Sequence, residues 1–157
     1  MNGDEVCSAL YYSSLAGMEE VLNCLLQKGG NANVKGGRYG NPLQAASYER
    51  HKEIVKLLLE NGAEVNAEGG FYGNALQAAS YSGNEAVGKL LLEKGAEVNG
   101  KGGPFGNALQ AASAALHSGN ETIVKLLLEN GAEVHASGKC KLSYKSYIRP
   151  VRPCKTL

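Results

Sequence analysis

Residues 69–101 read GGFYGNALQAASYSGNEAVGKLLLEKGAEVNGK, and the flanking segments repeat this pattern. Residues 36–68 read GGRYGNPLQAASYERHKEIVKLLLENGAEVNAE, again 33 residues, and residues 102–137 form a 36-residue copy with three additional residues in Ala114–His117. A shorter copy without the leading turn covers residues 9–35. A motif such as GN-x-LQAAS that recurs at a fixed period indicates a repeat protein.

Each full unit predicts two short helices joined by a turn. The first helix is rich in alanine and follows an asparagine that can cap it. We expect it at three places: Pro42–Tyr48, Ala75–Tyr81 and Ala108–Ala114. The second helix carries a leucine-rich apolar stripe and ends near a glycine suited to a left-handed cap. We expect it at three places as well: Lys52–Glu60, Glu85–Glu93 and Glu121–Glu129.

The repeat predicts an all-α solenoid, because one helix pair cannot cover its own apolar faces whereas stacked pairs can. We expect four helix-turn-helix units with projecting β-hairpin-like loops, over residues 4–35, 36–68, 69–101 and 102–137. These units would form one domain over residues 1–137. The remaining residues, 138–157, read as a basic tail that is irregular or disordered.

The units resemble ankyrin repeats. NALQAAS stands where that family has T-P-L-H-x-A-A, and KEIVKLLLENGAEVNA matches the family's second helix and the start of its next hairpin. Asparagine replaces the usual threonine, and Gln44, Gln77 and Gln110 replace the usual histidine. An aromatic residue also replaces a turn glycine, so we expect a shifted hairpin geometry. The GG-x-[YF]-GNALQAAS variety is similar to repeats of large regulatory proteins in filamentous fungi.

The resemblance implies a protein-protein interaction module without a catalytic role. In this family the partner protein lies on a concave face formed by hairpin tips and first helices. An alternative remains open: a structural spacer, or a fragment of a larger ankyrin array, with no specific partner of its own. The near-identity of the copies favours that alternative, because a specialised surface usually diverges between copies.

Comparison of the copies with each other separates two sets of positions. Residues that recur in every unit are assigned to the fold, including the aromatic at Tyr39, Tyr72 and Phe105 and the glutamines, which we expect to bond neighbouring backbone. Residues that vary are free to serve a partner, and they include residue types enriched at interfaces. The hypothesis names five candidates for one contact surface: Arg38, Tyr48, Phe71, Tyr81 and His117. The other interpretation is that they are ordinary surface residues.

No pattern of catalytic, cofactor-binding or metal-binding residues is found. His51, His117 and His135 fall in different units and lack metal-ligand spacing to cysteine or aspartate. The glycine pairs do not form a phosphate-binding loop, and the serines lie outside nucleophile-elbow patterns. We therefore expect no enzyme, no cofactor and no metal, and a structural or capping role for His51.

Charge divides the chain in two. Residues 1–137 hold all 15 acidic residues and ten of the 16 basic ones, whereas residues 138–157 hold six basic residues and no acidic one. The tail could bind an acidic surface or nucleic acid through Tyr144 and Tyr147, could be a solvated end, or could cover the last unit. Of these, nucleic-acid binding is not expected.

The N-terminus carries no secretory signal, and apolar runs stay far short of the ~20 residues that span a bilayer. The four cysteines form no disulfide framework, so we expect an intracellular, cytoplasmic protein that could also be nuclear. Cys24 lies among leucines and is predicted to be buried. Leu10, Tyr11, Tyr12 and Leu15 are apolar for an outermost helix, so some should be exposed. We expect a monomer, or weak self-association through uncapped ends.

Overall fold

The structure, a computed structural model, describes residues 3–115 and 120–134, and side chains from residue 9 onward. These residues form eight α-helices: α1 (Gly3–Ala16), α2 (Glu19–Gln27), α3 (Pro42–Tyr48), α4 (Lys52–Glu60), α5 (Ala75–Ser82), α6 (Glu85–Glu93), α7 (Ala108–Ala114) and α8 (Asn120–Glu129). The six helices expected in the full units are confirmed to within one residue. The helices form consecutive pairs, as expected for an all-α solenoid of helix-turn-helix units.

Local sequence sets the ends of these helices. The asparagine before each alanine-rich helix accepts a hydrogen bond from the third residue after it: Asn41 from Gln44 N at 2.8 Å, and Asn74 from Gln77 N at 2.9 Å. This bond satisfies one of the donors that a helix start leaves unpaired. After α4, Gly62 adopts a left-handed φ of 84°, which confirms the expected glycine cap.

The core runs as one cluster through all four pairs. Its largest side chains are almost completely buried: Leu10, Leu22, Leu43, Leu58, Leu76, Leu91, Ile123 and Leu127. The first helices pack closely because their facing residues are small, and Ala45, Ala46, Ala78 and Ala79 are completely buried. Each buried leucine contributes about 1.5–3 kcal/mol, so the leucine-rich second helices supply much of the hydrophobic stabilisation.

The projecting loops between units are tight turns rather than strands. Within the described residues, each is closed by a single antiparallel bridge: Gly36 with Gly40, Gly69 with Gly73, and Gly102 with Gly106. Successive loops lie directly on each other, since Phe71 N donates to Arg38 O at 3.0 Å. Gly70 has a φ of 63°, and a Cβ on it would lie 2.0 Å from Tyr39 O. Only glycine fits this backbone contact.

Two series of polar side chains tie one unit to the next. Gln44 Nε2 donates to Ala67 O at 3.0 Å and to Gly73 O at 3.2 Å, and Gln77 makes the matching pair of bonds in the next unit. This confirms the expected role for Gln44 and Gln77, whereas the Gln110 side chain shows no such bonds among the described residues. The second series was not predicted. The side chains of Asn33, Asn66 and Asn99 each bond two backbone groups of the loop that follows the second helix of the next unit, an arrangement here called the asparagine clamp.

Gly88 stands inside α6, where the other copies have Val55 and Val124. A Cβ added to it would lie 2.8 Å from Ile123 Cδ1 and 3.6 Å from Leu126 Cδ2, both on α8. The residue therefore permits close packing of α6 on α8. Glycine inside a helix costs roughly 1 kcal/mol relative to alanine, and here it leaves room for Ile123.

The prediction for Cys24 is wrong, because this side chain is exposed. In the repeat register Cys24 matches Leu57, Leu90 and Leu126. The contact of Leu126 with the Gly88 site shows that this position faces the preceding helix pair. The first pair has no preceding pair among the described residues, so the apolar pattern around Cys24 does not bury it.

Candidate partner-binding face

Five aromatic rings form a stack along one face, here called the aromatic ladder. Its members are Tyr39, Tyr48, Tyr72, Tyr81 and Phe105. Successive ring centroids lie 4.9, 5.0, 4.9 and 5.1 Å apart in that order. Rings from the loops (Tyr39, Tyr72, Phe105) alternate with rings from the ends of the first helices (Tyr48, Tyr81). The loops and the first helices are thereby joined into one continuous surface.

The length of the ladder follows from which units carry a tyrosine at the end of the first helix. Tyr48 lies between Tyr39 and Tyr72, and Tyr81 lies between Tyr72 and Phe105. The matching residues in the first and last units are Leu15 and Ala114. A tyrosine is therefore present in the two units where this position lies between two loop rings. The side chains that vary between copies and those that recur belong to one packed array.

Phe71 and Arg38 project from two successive loop tips next to the ladder. The Phe71 ring is 43% exposed, and the Arg38 guanidinium carbon lies 5.1 Å from its centroid. Phe71 meets Tyr72 edge-to-face at 5.0 Å and Phe105 at 6.4 Å. A cation over one face and rings at its edges hold this exposed aromatic in a defined orientation.

Two ladder tyrosines have a raised pKa. Burial raises the pKa of Tyr72 far above its usual range, and a hydrogen bond with Tyr48 raises it further. Burial also raises the pKa of Tyr39, with a further contribution from its neighbour Tyr48. Both hydroxyl groups therefore ionise at a higher pH than a free tyrosine does. The Tyr11 hydroxyl accepts a hydrogen bond from Tyr39 N at 3.2 Å, which connects this end of the ladder to α1.

A shallow cavity of ≈ 210 Å³ lies between the ends of α3 and α5, lined by Tyr48, Glu49, Arg50, Tyr81 and Ser82. Arg50 crosses from one unit to the next and donates from Nη2 to Ser82 O. Small-molecule sites usually enclose about 300–1,000 Å³. This cavity is smaller than that range and forms part of an extended surface.

His51 is the one histidine among the described residues. His51 Nε2 lies 3.1 Å from Leu15 O of the preceding pair, so its role is to join units rather than to cap α4 with its side chain. His117 and His135 lie outside the described residues, as does the tail 138–157. Within residues 3–115 and 120–134, no group of three His, Cys, Asp or Glu residues could hold a metal ion.

Four of the five candidate contact residues lie on the same face: Arg38 and Phe71 at the loop tips, and Tyr48 and Tyr81 in the ladder. The fifth candidate, His117, is outside the described part of the chain. Sequence reasoning missed that Tyr48 and Tyr81 pack between the recurring rings. The signal was available, because each tyrosine follows a loop aromatic by nine residues in two units and is replaced by Ala114 in the third.

Comparison with known families gives a match over most of the chain. The family described as "Ankyrin repeats (3 copies)" matches residues 2–69 and 68–138. A comparison with curated proteins returned no match. Among the described residues, no helix is both long and apolar enough to cross a membrane. The family match and the stacked helix pairs lead to the same conclusion: the chain belongs to the ankyrin-repeat family.

Proposed function

We propose that this chain is a protein-protein interaction module, without catalytic activity, that binds a partner protein on the concave face formed by loop tips and first helices. Ankyrin repeats are generally modules of this kind. The observation that carries the proposal is Phe71, a 43% exposed aromatic ring held between the Arg38 guanidinium and the edges of the ladder.

The physical reason is preorganisation. An exposed flexible side chain loses rotamer entropy when it is buried at an interface, at a cost of roughly 0.5–1.5 kcal/mol. The ring of Phe71 is already restrained by Tyr72, Phe105 and Arg38, so less of this cost remains on binding. Aromatic and arginine side chains in such positions are also the residue types enriched among interface hot spots.

A spacer function is the second candidate, and the ladder itself favours it. Tyr48 and Tyr81 make ring contacts inside the chain, which would stiffen the array even without a partner. The two candidates differ at the loop tips, where Phe71 and Arg38 are exposed. A spacer places no demand on them, whereas a binding module loses affinity when they are truncated.

The test uses a photo-crosslinking amino acid at single positions of the full-length chain. A benzoylphenylalanine at Phe71 is compared with one at Lys89, an exposed residue of α6 on the second-helix side. In lysate of the native host, the binding proposal expects a discrete adduct at position 71 and none at position 89. Equal adducts at both positions, or none at 71, would favour the spacer.

The crosslinked partner is then produced in pure form, and its affinity is measured for the unaltered chain and for three variants. We expect Phe71→Ala and Arg38→Ala each to weaken binding about tenfold or more, and Lys89→Ala to leave it unchanged. Circular dichroism and thermal unfolding confirm that each variant is folded. Unchanged affinity for Phe71→Ala would contradict the proposed site. Tyr48 and Tyr81 are unsuitable for this test because their loss also disturbs the ladder.

A further inference from the structure

Arg50 has an unusual backbone conformation for its residue type. Its φ of 68° lies in the left-handed region, and among the described residues it is the one residue other than glycine with a positive φ. The matching residues of two other units are Gly17 and Gly83, with φ of 74° and 73°. A residue with a Cβ is disfavoured in this conformation. This turn therefore does not need a side chain, and arginine is favoured here by the contacts of its guanidinium.

The guanidinium of Arg50 is anchored at one end of the shallow cavity between α3 and α5. It crosses to the next unit, where Nη2 donates a hydrogen bond to Ser82 O. Ser82 is the last residue of α5, and the carbonyl groups at a helix end lack partners within the helix. The bond therefore stabilises the end of α5 and also fixes where the guanidinium lies.

This anchor uses only part of the guanidinium. Among the described residues, no carboxylate lies within ion-pair distance of Arg50, and the cation that lies over an aromatic ring is Arg38. Arg50 is exposed and lines the cavity of ≈ 210 Å³ with Tyr48 and Tyr81. The cavity is smaller than the usual small-molecule site, so it suits one side chain of a partner protein.

Two tyrosine rings form walls of the cavity. The centroids of Tyr48 and Tyr81 are 6.4 Å apart, and their planes differ by 24°. The buried ring of Tyr72 contacts both, at 5.0 and 4.9 Å, and the exposed ring of Phe71 lies 5.0 Å from Tyr72. A partner that covers Phe71 therefore also lies next to this cavity.

The charges at the cavity act in different directions. Glu49 also lines it, and its carboxylate acts on Tyr39 of the same unit, whose pKa is raised by burial first and then by Tyr48 and Glu49. Arg50 reaches the other way, to the following unit. The end of the cavity at Ser82 therefore presents a positive charge without a counter-charge. A planar carboxylate matches both this charge and the geometry of the N–H donors.

We propose that the cavity binds an aspartate or glutamate side chain of the partner protein and that Arg50 selects it. The N–H groups of Arg50 that are not used at Ser82 donate to the carboxylate, and Tyr48 and Tyr81 pack against the apolar part of the same side chain. Because the guanidinium is already anchored, it loses little side-chain entropy on binding. The inference rests on the proposed function and names the chemistry of the partner at that face.

The test begins with a displayed library of random linear peptides, selected on the full-length chain. We expect the selected peptides to be enriched in aspartate or glutamate and to lose binding to the Phe71→Ala variant. Peptides that depend on Phe71 without such enrichment would overturn this inference and leave the proposed function standing. Peptides that bind Phe71→Ala equally well would overturn both, and a library without binders would overturn this inference.

A selected peptide then enters a double-mutant cycle with Arg50→Gly, which suits the left-handed turn because Gly17 and Gly83 stand there in other units. We expect Arg50→Gly, and replacement of the peptide's acidic residue by its amide, each to weaken binding about tenfold, and both together to weaken it no further. Lys89→Ala, the loss of an exposed cation on the second-helix side, should leave the affinity unchanged. Additive effects would overturn the proposed contact.

Stability and geometry are controlled in the same chain. The thermal midpoint of Arg50→Gly should lie within about 4 °C of that of the unaltered chain, so that its loss of affinity is not due to unfolding. Arg50→Lys keeps the charge and loses the planar arrangement of donors, and it should weaken binding less than Arg50→Gly. Unchanged affinity for both variants would overturn the role of Arg50.

Two further measurements test the sign and the kind of charge. Glu49→Gln removes a negative charge beside the cavity and should strengthen binding of the acidic peptide at low salt. Weaker binding would show that the cavity receives a cation through Glu49 and would overturn the proposal. Because Glu49 disfavours a doubly charged ligand, phosphoserine at the acidic position should bind no more tightly. Tighter binding that depends on Arg50 would assign the cavity to a phosphopeptide instead.

Discussion

At the scale of single residues, side chains at matching positions of the repeat make different hydrogen bonds. Gln44 and Gln77 each hold two backbone carbonyl groups, whereas Gln110 in the last described unit shows no such bonds among the described residues. The Oε1 atoms of Gln44 and Gln77 are buried without a hydrogen-bond partner. The contribution of each glutamine therefore depends on the unit that follows it, which provides a matched comparison.

We expect Gln77→Leu to lower the free energy of unfolding by about 1–2 kcal/mol. The change leaves Gly100 O without its side-chain donor, whereas Gly106 O keeps the bond from Gly102 N, and removal of the unpaired Oε1 offsets part of that cost. Gln110→Leu is the control and should change the free energy by less than about 1 kcal/mol. Urea unfolding measures both, and equal effects would show that the two bonds contribute little.

At the scale of elements, the aromatic ladder joins loops to first helices. Its rings come from three loops and two helices, and each helix ring lies between two loop rings. An aromatic pair contributes about 0.5–1.5 kcal/mol beyond the area it buries. The ladder therefore fixes the orientation of loops that are each closed by only one backbone bridge.

Loss of one inner ring should be costly. We expect Tyr81→Ala to lower the free energy of unfolding by about 2–3 kcal/mol, because it removes contacts with both Tyr72 and Phe105. The control is Tyr12→Ala, at a 61% exposed tyrosine, with an expected loss below about 1 kcal/mol. Denaturant unfolding compares the two, and a larger loss for Tyr12→Ala would contradict a packing role of the ladder.

The ladder also predicts loss of stability at alkaline pH. The pKa of Tyr72 is raised in the folded chain above the ordinary value of 10.0, mainly by burial. Above pH 10 the unfolded chain releases this proton while the folded chain retains it, so the free energy of unfolding falls as the pH rises. Below pH 10 both states keep the proton, and the full stability is present. Unfolding free energies at pH about 9 and about 11 measure this fall. Tyr72→Phe should make it smaller, and an unchanged fall would contradict the assignment to Tyr72.

At the scale of the whole molecule, the chain is held together by contacts between neighbouring units. Core residues of each pair, the glutamine bonds and the asparagine clamps all join one unit to the next. A solenoid of this kind behaves approximately as a row of units with nearest-neighbour coupling. Weakening one junction should therefore affect cooperativity as well as stability.

Asn66 tests the coupling at one junction. Its side chain donates to Gly95 O at 3.0 Å and accepts from Glu97 N at 2.9 Å, both in the next unit. We expect Asn66→Ala to cost about 1–2 kcal/mol and to broaden the urea transition. The control Asn61→Ala removes only a bond to Leu57 O in the preceding helix and should cost less than about 0.5 kcal/mol. A transition of unchanged slope would show that this clamp does not couple the units.

Prediction from sequence succeeded where the cause is local. The caps at Asn41 and Asn74, the glycine after α4 and the helix limits depend on residues within a few positions of each other. It failed for Cys24, whose neighbours in sequence are leucines but whose exposure depends on whether a helix pair lies against it. It also missed the ladder: the nine-residue spacing of its rings is visible within a unit, but the contacts between units, such as Tyr48 with Tyr72, arise from stacking.

The sequence by itself determined the period, the helices and the family, because each unit repeats the same caps, apolar stripe and turn glycines. Tertiary structure alone decided which residues at matching positions of the repeat are buried against a neighbouring unit and which are exposed. Met18 is exposed and His51 bonds the preceding pair, although both occupy one register position. The physical reason is that burial at these positions comes from another unit about one repeat away. The exposed apolar side chains of the first helix pair and the surface that carries Arg38 and Phe71 therefore emerged only when the units were stacked.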